Sequence, residues 1–267
     1  MVEPEVSIVY RYLAAAGILF VWCWIKKLSL IFKLKSHLWF ALIGLLLFCL
    51  NYILTYRAQI YITSALSAIA FSTMVWMNII NARLFFGVRP DARIYLGALL
   101  GIIGISVLFG PQISEVSLSD GVFFGSILAV TGALVASFGN MASQAAQKEK
   151  LPVVQSNAWG MLYGGLLTGV FALAGGYPFK FDLSVGYVVS LAYLTIFGSI
   201  VAFGAYLTLL GRIGAHRAGY VAVMFPVVAL VLSMLFEGLS LDVSVAAGFA
   251  LVVGGNILVL KNNAASR

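Results

Sequence analysis

The sequence predicts an all-α, polytopic membrane bundle, and three observations carry that prediction. Of the 267 residues, 62% are hydrophobic and only 9% are charged, with a mean hydropathy of +1.05. Soluble domains carry about a quarter charged residues. The apolar residues also fall in blocks of about 17 to 26, enough to cross a hydrocarbon core of ~30 Å at 1.5 Å per residue. Finally, the blocks are separated by short connections in which five of the six prolines (Pro4, Pro90, Pro111, Pro152 and Pro178) stand in or beside loops, as expected of a residue without an amide donor. A soluble globular protein is excluded, as are disordered and collagen-like chains.

Taken in order, apolar blocks and turn residues give nine spans, at roughly 8–25, 38–58, 63–86, 94–110, 121–146, 155–176, 185–209, 215–236 and 243–260. Pro226 alone lies within a span, where the carbonyl it frees must find a partner inside the bundle. Cys23 and Cys49 each lie inside an apolar block, without disulfide or metal-ligand spacing, and read as small core residues. Glu3 and Glu5 stand where a signal peptide would be basic.

The loop charges set the orientation. Lys26, Lys27, Lys33, Lys35, Arg83, Arg89, Arg93, Lys148, Lys150, Arg212, Arg217, Lys261 and Arg267 fall on one side, 13 of the 16 basic residues. Only Arg11, Arg57 and Lys180 remain for the other, which also holds Glu3, Glu5, Glu115, Asp120, Asp182, Glu237 and Asp242. The positive-inside rule then places the loops after the first, third, fifth and seventh spans, and the C-terminus, in the cytoplasm. The net charge of +7 therefore reports orientation and not a nucleic-acid partner. Trp22, Trp24 and Trp39 flank the first cytoplasmic loop as interface anchors.

The chain also repeats itself at an offset of 151 residues without a gap. Leu84, Phe85, Gly87, Asp91, Gly97 and Gly104 recur as Leu235, Phe236, Gly238, Asp242, Gly248 and Gly255. Gly87 and Gly238 suit a helix C-terminus, and Asp91 and Asp242 the N-cap of the next helix. The remaining four glycines allow neighbouring backbones to approach. The repeat divides the chain into residues 1–110, with four helices, and 111–267, with five. A repeat unit of five helices inserts with opposite orientation, which makes an inverted-topology 5+5 pair of the kind found in secondary transporters. The partner of span 121–146 would precede Met1. Either an upstream start supplies it or the protein works with nine helices.

The run Ile213-Gly214-Ala215-His216-Arg217-Ala218-Gly219, followed by Pro226, Glu237-Gly238 and a Gly-rich last helix, resembles the ninth and tenth helices of the EamA-type repeat proteins in the drug/metabolite transporter superfamily. Asn51-Tyr52 with Tyr61 and Ser64-Ala65 is similar to the family's third-to-fourth helix junction. Arg11-Tyr12 resembles the Arg-aromatic pair of its second helix, and Trp159-x-Met161 the matching place in its seventh. The resemblance covers the whole chain apart from the family's first helix, which is absent here. The proline expected in the fourth helix is also replaced, near Val75, the partner position of Pro226. The resemblance implies a ten-helix inverted-repeat exporter of amino acids or other small metabolites, with a central cavity and alternating access.

Polar groups inside a membrane are costly and mark function. The substrate-binding candidates are Arg11, Asn51, Tyr52, Tyr56, Trp76, Asn78, Trp159, Tyr163, Ser199 and Tyr206. Asn51 and Thr55 share a helix face, as do Tyr52 with Tyr56 and Trp159 with Tyr163. Arg11 and Arg57 attract a substrate carboxylate, or alternatively snorkel to the outer interface. No Asp or Glu lies mid-helix, so a carboxylate proton relay has no member. His216 and Arg217 fix topology or gate the cytoplasmic mouth. The function expected is a secondary transporter, an exporter of amino acids or other small amphipathic metabolites, in the plasma membrane (the inner membrane of a Gram-negative cell). A non-transporting membrane sensor or scaffold and an intramembrane enzyme are the alternatives. With only His37 and His216 and no His-acid pair on one face, no catalytic or metal-binding residue and no cofactor is assigned. The partners are the bilayer and a small-molecule substrate, without nucleic acid, and a homodimer stays open.

Overall fold

A computed structural model describes residues 2–108, 110, 120–221, 223–224 and 243–260. The helices are α1 (Pro4–Ile25), α2 (Leu34–Ala58), α3 (Ser64–Ser72), α4 (Met74–Phe86), α5 (Ala92–Leu108), α6 (Asp120–Lys148), α7 (Val153–Ala174), α8 (Val185–Ile213), α9 (Ala215–Ala218) and α10 (Val243–Leu260). No strand occurs among the described residues. The eighth expected span is described only in its first residues. Pro226 and the whole repeated turn at Leu235, Phe236, Gly238 and Asp242 lie outside the described residues.

Local chemistry sets the helix limits. Pro4 opens α1 at a position where its missing N–H costs nothing, which starts the helix four residues earlier than expected and brings Glu5 into its first turn. Gly87 ends α4 in the left-handed conformation, φ +66°, as a C-terminal glycine should, and Asp91 stands directly before α5. The expected span 63–86 is broken between α3 and α4. There the Ser72 hydroxyl donates to the Ile69 carbonyl and the Thr73 hydroxyl to that of Ala70. Two adjacent hydroxyls returning to the backbone interrupt the helix without a proline, two residues from Val75. Cys23 and Cys49 are buried and unpaired, as small core residues.

The chain forms two compact units. One comprises residues 1–56 and 138–212, and the other 57–137 and 213–267. The sequence division at 110 and 111 follows the repeat, whereas each compact unit takes helices from both halves.

In the first unit α1 packs along α7. Leu13 meets Gly165, Val9 meets Gly169, and Phe20 meets Trp159. As the number rises on one helix it falls on the other, so the pair is antiparallel. The helices are also repeat partners, since adding 151 carries α1 onto α7. The same relation joins α2 and α8, and each contains a π-helical stretch: Gly44–Leu50 in α2 and Leu194–Val201 in α8. Carried forward by 151, the first becomes 195–201. Such widened turns are uncommon, and finding them at matched positions is an independent mark of the duplication.

In the second unit the dominant pairing is α5 with α10, again repeat partners. A Cβ added to Gly97 would lie 2.7 Å from the Gly255 carbonyl oxygen, and one on Gly104 would lie 2.8 Å from that of Gly248. Each repeated glycine thus meets the partner of the other one, an antiparallel crossing that the two-fold relation maps onto itself. Around it pack Val75, Ile79, Ile94, Ala98, Ile105, Tyr220, Val223, Val252 and Val259.

This crossing generates a controlled prediction. A methyl on Gly255 would sit 2.7 Å from the Gly97 carbonyl oxygen, whereas one on Gly254 meets nothing within 4 Å. Gly255→Ala should therefore destabilise the protein by about 1–3 kcal/mol, the usual scale of overpacking, and Gly254→Ala should not. Thermal unfolding in detergent compares them, and equal melting temperatures would contradict the close crossing.

Candidate functional site

Arg11 lies in the second turn of α1, and in the first compact unit it turns inward, with only 7% of its surface exposed. Its Nε donates to Ser199 Oγ at 2.7 Å. The Ser199 hydroxyl in turn donates to the Leu194 carbonyl at 3.1 Å, five residues back in the π-helical stretch of α8. The widened turn therefore fixes the serine proton on the backbone and points an oxygen lone pair at the guanidinium. Gly198 completes the fit, because a Cβ there would come 3.0 Å from Arg11 Nη2.

Tyrosines surround the rest of the cation. The guanidinium carbon lies 5.5 Å from the Tyr12 ring centroid and 5.3 Å from that of Tyr52, within the range of cation–π attraction. Tyr12 and Tyr52 meet edge to face at 5.3 Å, and Tyr56 stacks on Tyr52 at 6.3 Å. Tyr12 continues through Phe48 to Phe203, with centroids 5.2 and 4.9 Å apart. Asn51 is 6% exposed and accepts a hydrogen bond from Thr55 one turn on. The Tyr12 hydroxyl is buried beside Tyr52. The arrangement is a positive charge in an aromatic setting, able to hold an anion with an apolar body.

The other candidates divide into separate groups. Trp159 and Tyr163 stack at 5.8 Å elsewhere in the first unit, and their polar ends are committed to the protein. Trp159 Nε1 donates to the Leu30 carbonyl at 3.3 Å, and the Tyr163 hydroxyl bonds His37 Nδ1 at 2.8 Å. This group ties the loop between α1 and α2 to α7. The Tyr206 hydroxyl is buried in the same unit. Trp76 and Asn78 belong to the second unit, where Trp76 packs on Tyr95 and Asn78 is wholly buried beside Gly219. One turn from Asn78, Asn81 donates to Ser137 at 2.9 Å.

The structure thus brings Arg11, Tyr52, Tyr56 and Ser199 together and adds Tyr12, which sequence reasoning left out of the site although its place beside Arg11 was an available signal. In the first turn of α1, Glu5 is buried at 3% exposure; a proline at the helix start followed by an acid in the first turn would have placed it within the helix.

Ser199→Ala would remove the neutral acceptor of a buried guanidinium donor. A charged donor left without its partner costs about 1–3 kcal/mol or more, so this variant should melt well below the wild type. Ser184→Ala, at the exposed start of α8, should cost a few tenths to about 2 kcal/mol, the worth of an N-cap. An unshifted melting temperature for Ser199→Ala would show that the Arg11–Ser199 bond carries no load.

The sequence pattern of the EamA-like transporter family matches twice, over residues 2–110 and 123–261. Protein PagO of Salmonella typhimurium is 23% identical over 98% of this chain and 86% of its own length. The uncharacterized inner membrane transporter YedA of Escherichia coli K12 is 28% identical over 83% of this chain and 70% of its own. The uncharacterized transporter YoaV of Bacillus subtilis is 24% identical over 86% and 77%. A solved crystal structure superposes with a TM-score of 0.82 at 16% identity, covering 97% of this chain and 89% of the other, and so shares its fold. The matches to both halves, set beside the antiparallel repeat partners and the long apolar helices, make this chain a multi-pass plasma-membrane transporter that belongs to the EamA-like transporter family.

Proposed function

We propose that the protein is a secondary transporter that exports amino acids or other small amphipathic metabolites by alternating access. The observation that carries this reading is the antiparallel pairing of repeat partners, α1 with α7 and α5 with α10. Two copies of one sequence inserted in opposite senses have nearly interchangeable conformations. When the copies exchange conformations, a path open to one side becomes a path open to the other. The matched π-helical stretches in α2 and α8 supply equivalent yielding points, because the widened turn holds its backbone bonds less regularly than an α-helix does.

Arg11, Asn51, Tyr52, Tyr56 and Ser199 are the proposed substrate-binding residues of the first unit, and Trp76 and Asn78 those of the second. Trp159, Tyr163 and Tyr206 are proposed to shape the path rather than hold the substrate, since Trp159 and Tyr163 have their polar ends bound within the protein. Intramembrane acids contribute nothing to this reading; it rests on a concentration gradient or the membrane potential as the driving force.

Counterflow in proteoliposomes tests the proposal. Vesicles preloaded with an unlabelled substrate should accumulate the labelled form transiently, and Gly97→Leu, which blocks the α5–α10 crossing, should abolish accumulation. A panel of amino acids, aromatic carboxylates and amphipathic amines that all fail with folded protein would overturn the transport reading.

A further inference from the structure

The two-fold relation between the repeats allows a comparison inside one molecule. Carried by the offset of 151, Arg11 corresponds to Leu162, Tyr52 to Phe203, Tyr56 to Leu207 and Ser199 to Phe48. The same framework is therefore built twice, and in the second setting all four positions are apolar. Phe48 there is fully buried against Gly164 and Gly160. The fold packs without a charge at this place, so the cation is not needed to hold the helices together.

Among the described residues the contacts of Arg11 are neutral: the Ser199 hydroxyl and the phenol groups of Tyr12, Tyr52 and Tyr56. By contrast, Lys35 and Glu149 form an ion pair at an exposed surface. A guanidinium withdrawn from water without an opposite charge is a strained arrangement that an anion would relieve. The buried Tyr12 hydroxyl lies in the same place, beside Tyr52.

The chemistry of the anion follows from the donors. A single planar guanidinium fork matches the two oxygens of a carboxylate. Among the described residues no second cation stands in the cluster to meet a dianion such as phosphate. The tyrosine faces suit an apolar or aromatic body. We infer that the Arg11–tyrosine cluster is the charged subsite of the transporter and holds the carboxylate of an amphipathic organic anion. This inference rests on the transport reading and narrows it to a substrate class.

The test uses 3-phenylpropionate and its amide, which share a shape and differ in charge, titrated against the purified full chain by calorimetry. The acid should bind at least tenfold more tightly than the amide, and inorganic phosphate and chloride should not compete. Arg11→Gln should erase the preference for the acid, while Arg11→Lys keeps part of it. Equal binding of acid and amide, competition by phosphate, or a preference that survives in Arg11→Gln would overturn the proposal. Should Arg11→Gln not fold, the wild-type preference and the competition pattern decide alone. Counterflow of the same pair separates the two readings. Arg11-dependent binding without counterflow would sink transport and keep the site, whereas counterflow of acid and amide alike would sink the site and keep transport.

Discussion

Helices in lipid gain nothing from hiding apolar side chains from water, since the surrounding tails are equally apolar, so their association depends on how closely backbones can approach. In this protein that constraint is met most fully where α5 crosses α10. Gly97, Gly104, Gly248 and Gly255 leave no room for a single added carbon at the contact. Gly44, Gly160 and Gly164 perform the same service between α2 and α7, where a Cβ on Gly44 would lie 2.5 Å from the Gly160 carbonyl oxygen. The glycine content of the chain is thus largely a record of which helices touch.

The crossings also tie structure to ancestry. A contact between repeat partners in antiparallel array is carried onto itself by the two-fold relation, so one small-residue motif, once duplicated, supplies both sides of the interface. The paired π-helical stretches follow the same logic, although they have diverged in use. In α2 the stretch brings Gly44 against α7, whereas in α8 it frees a carbonyl for Ser199 and thereby positions Arg11. Common descent gives the scaffold, and departures from the common pattern give the site.

Much of this was readable before any coordinates. The repeat at 151, the glycines that serve it and the turn at Gly87 all follow from residue type and spacing, because helix termini and close crossings have strict steric demands. Arg11 with Tyr52, Tyr56 and Ser199 was legible as a set of candidates, since charge and polarity in an apolar span are conspicuous. Their division into groups was not. Trp159 and Tyr163 have the same aromatic character as Tyr52 and Tyr56, and only the fold shows that a loop carbonyl and His37 occupy their polar ends. The break at Thr73 was hidden for a related reason. Serine and threonine are ordinary helix residues in a membrane until both hydroxyls turn back to the backbone, and no spacing rule announces when they do.

The asymmetry at Arg11 carries a consequence for how such a site moves. An uncompensated charge in a low-dielectric interior resists any rearrangement that desolvates it further, and a bound carboxylate would cancel that resistance. Under the proposed reading, loaded and empty forms of the cluster would then differ in the ease of passing between inward and outward arrangements. The apolar counterpart at Leu162, Phe48, Phe203 and Leu207 has no such dependence. If the Arg11 cluster is the charged subsite, a charge in one of two related settings and none in the other would make the passage depend on the cargo.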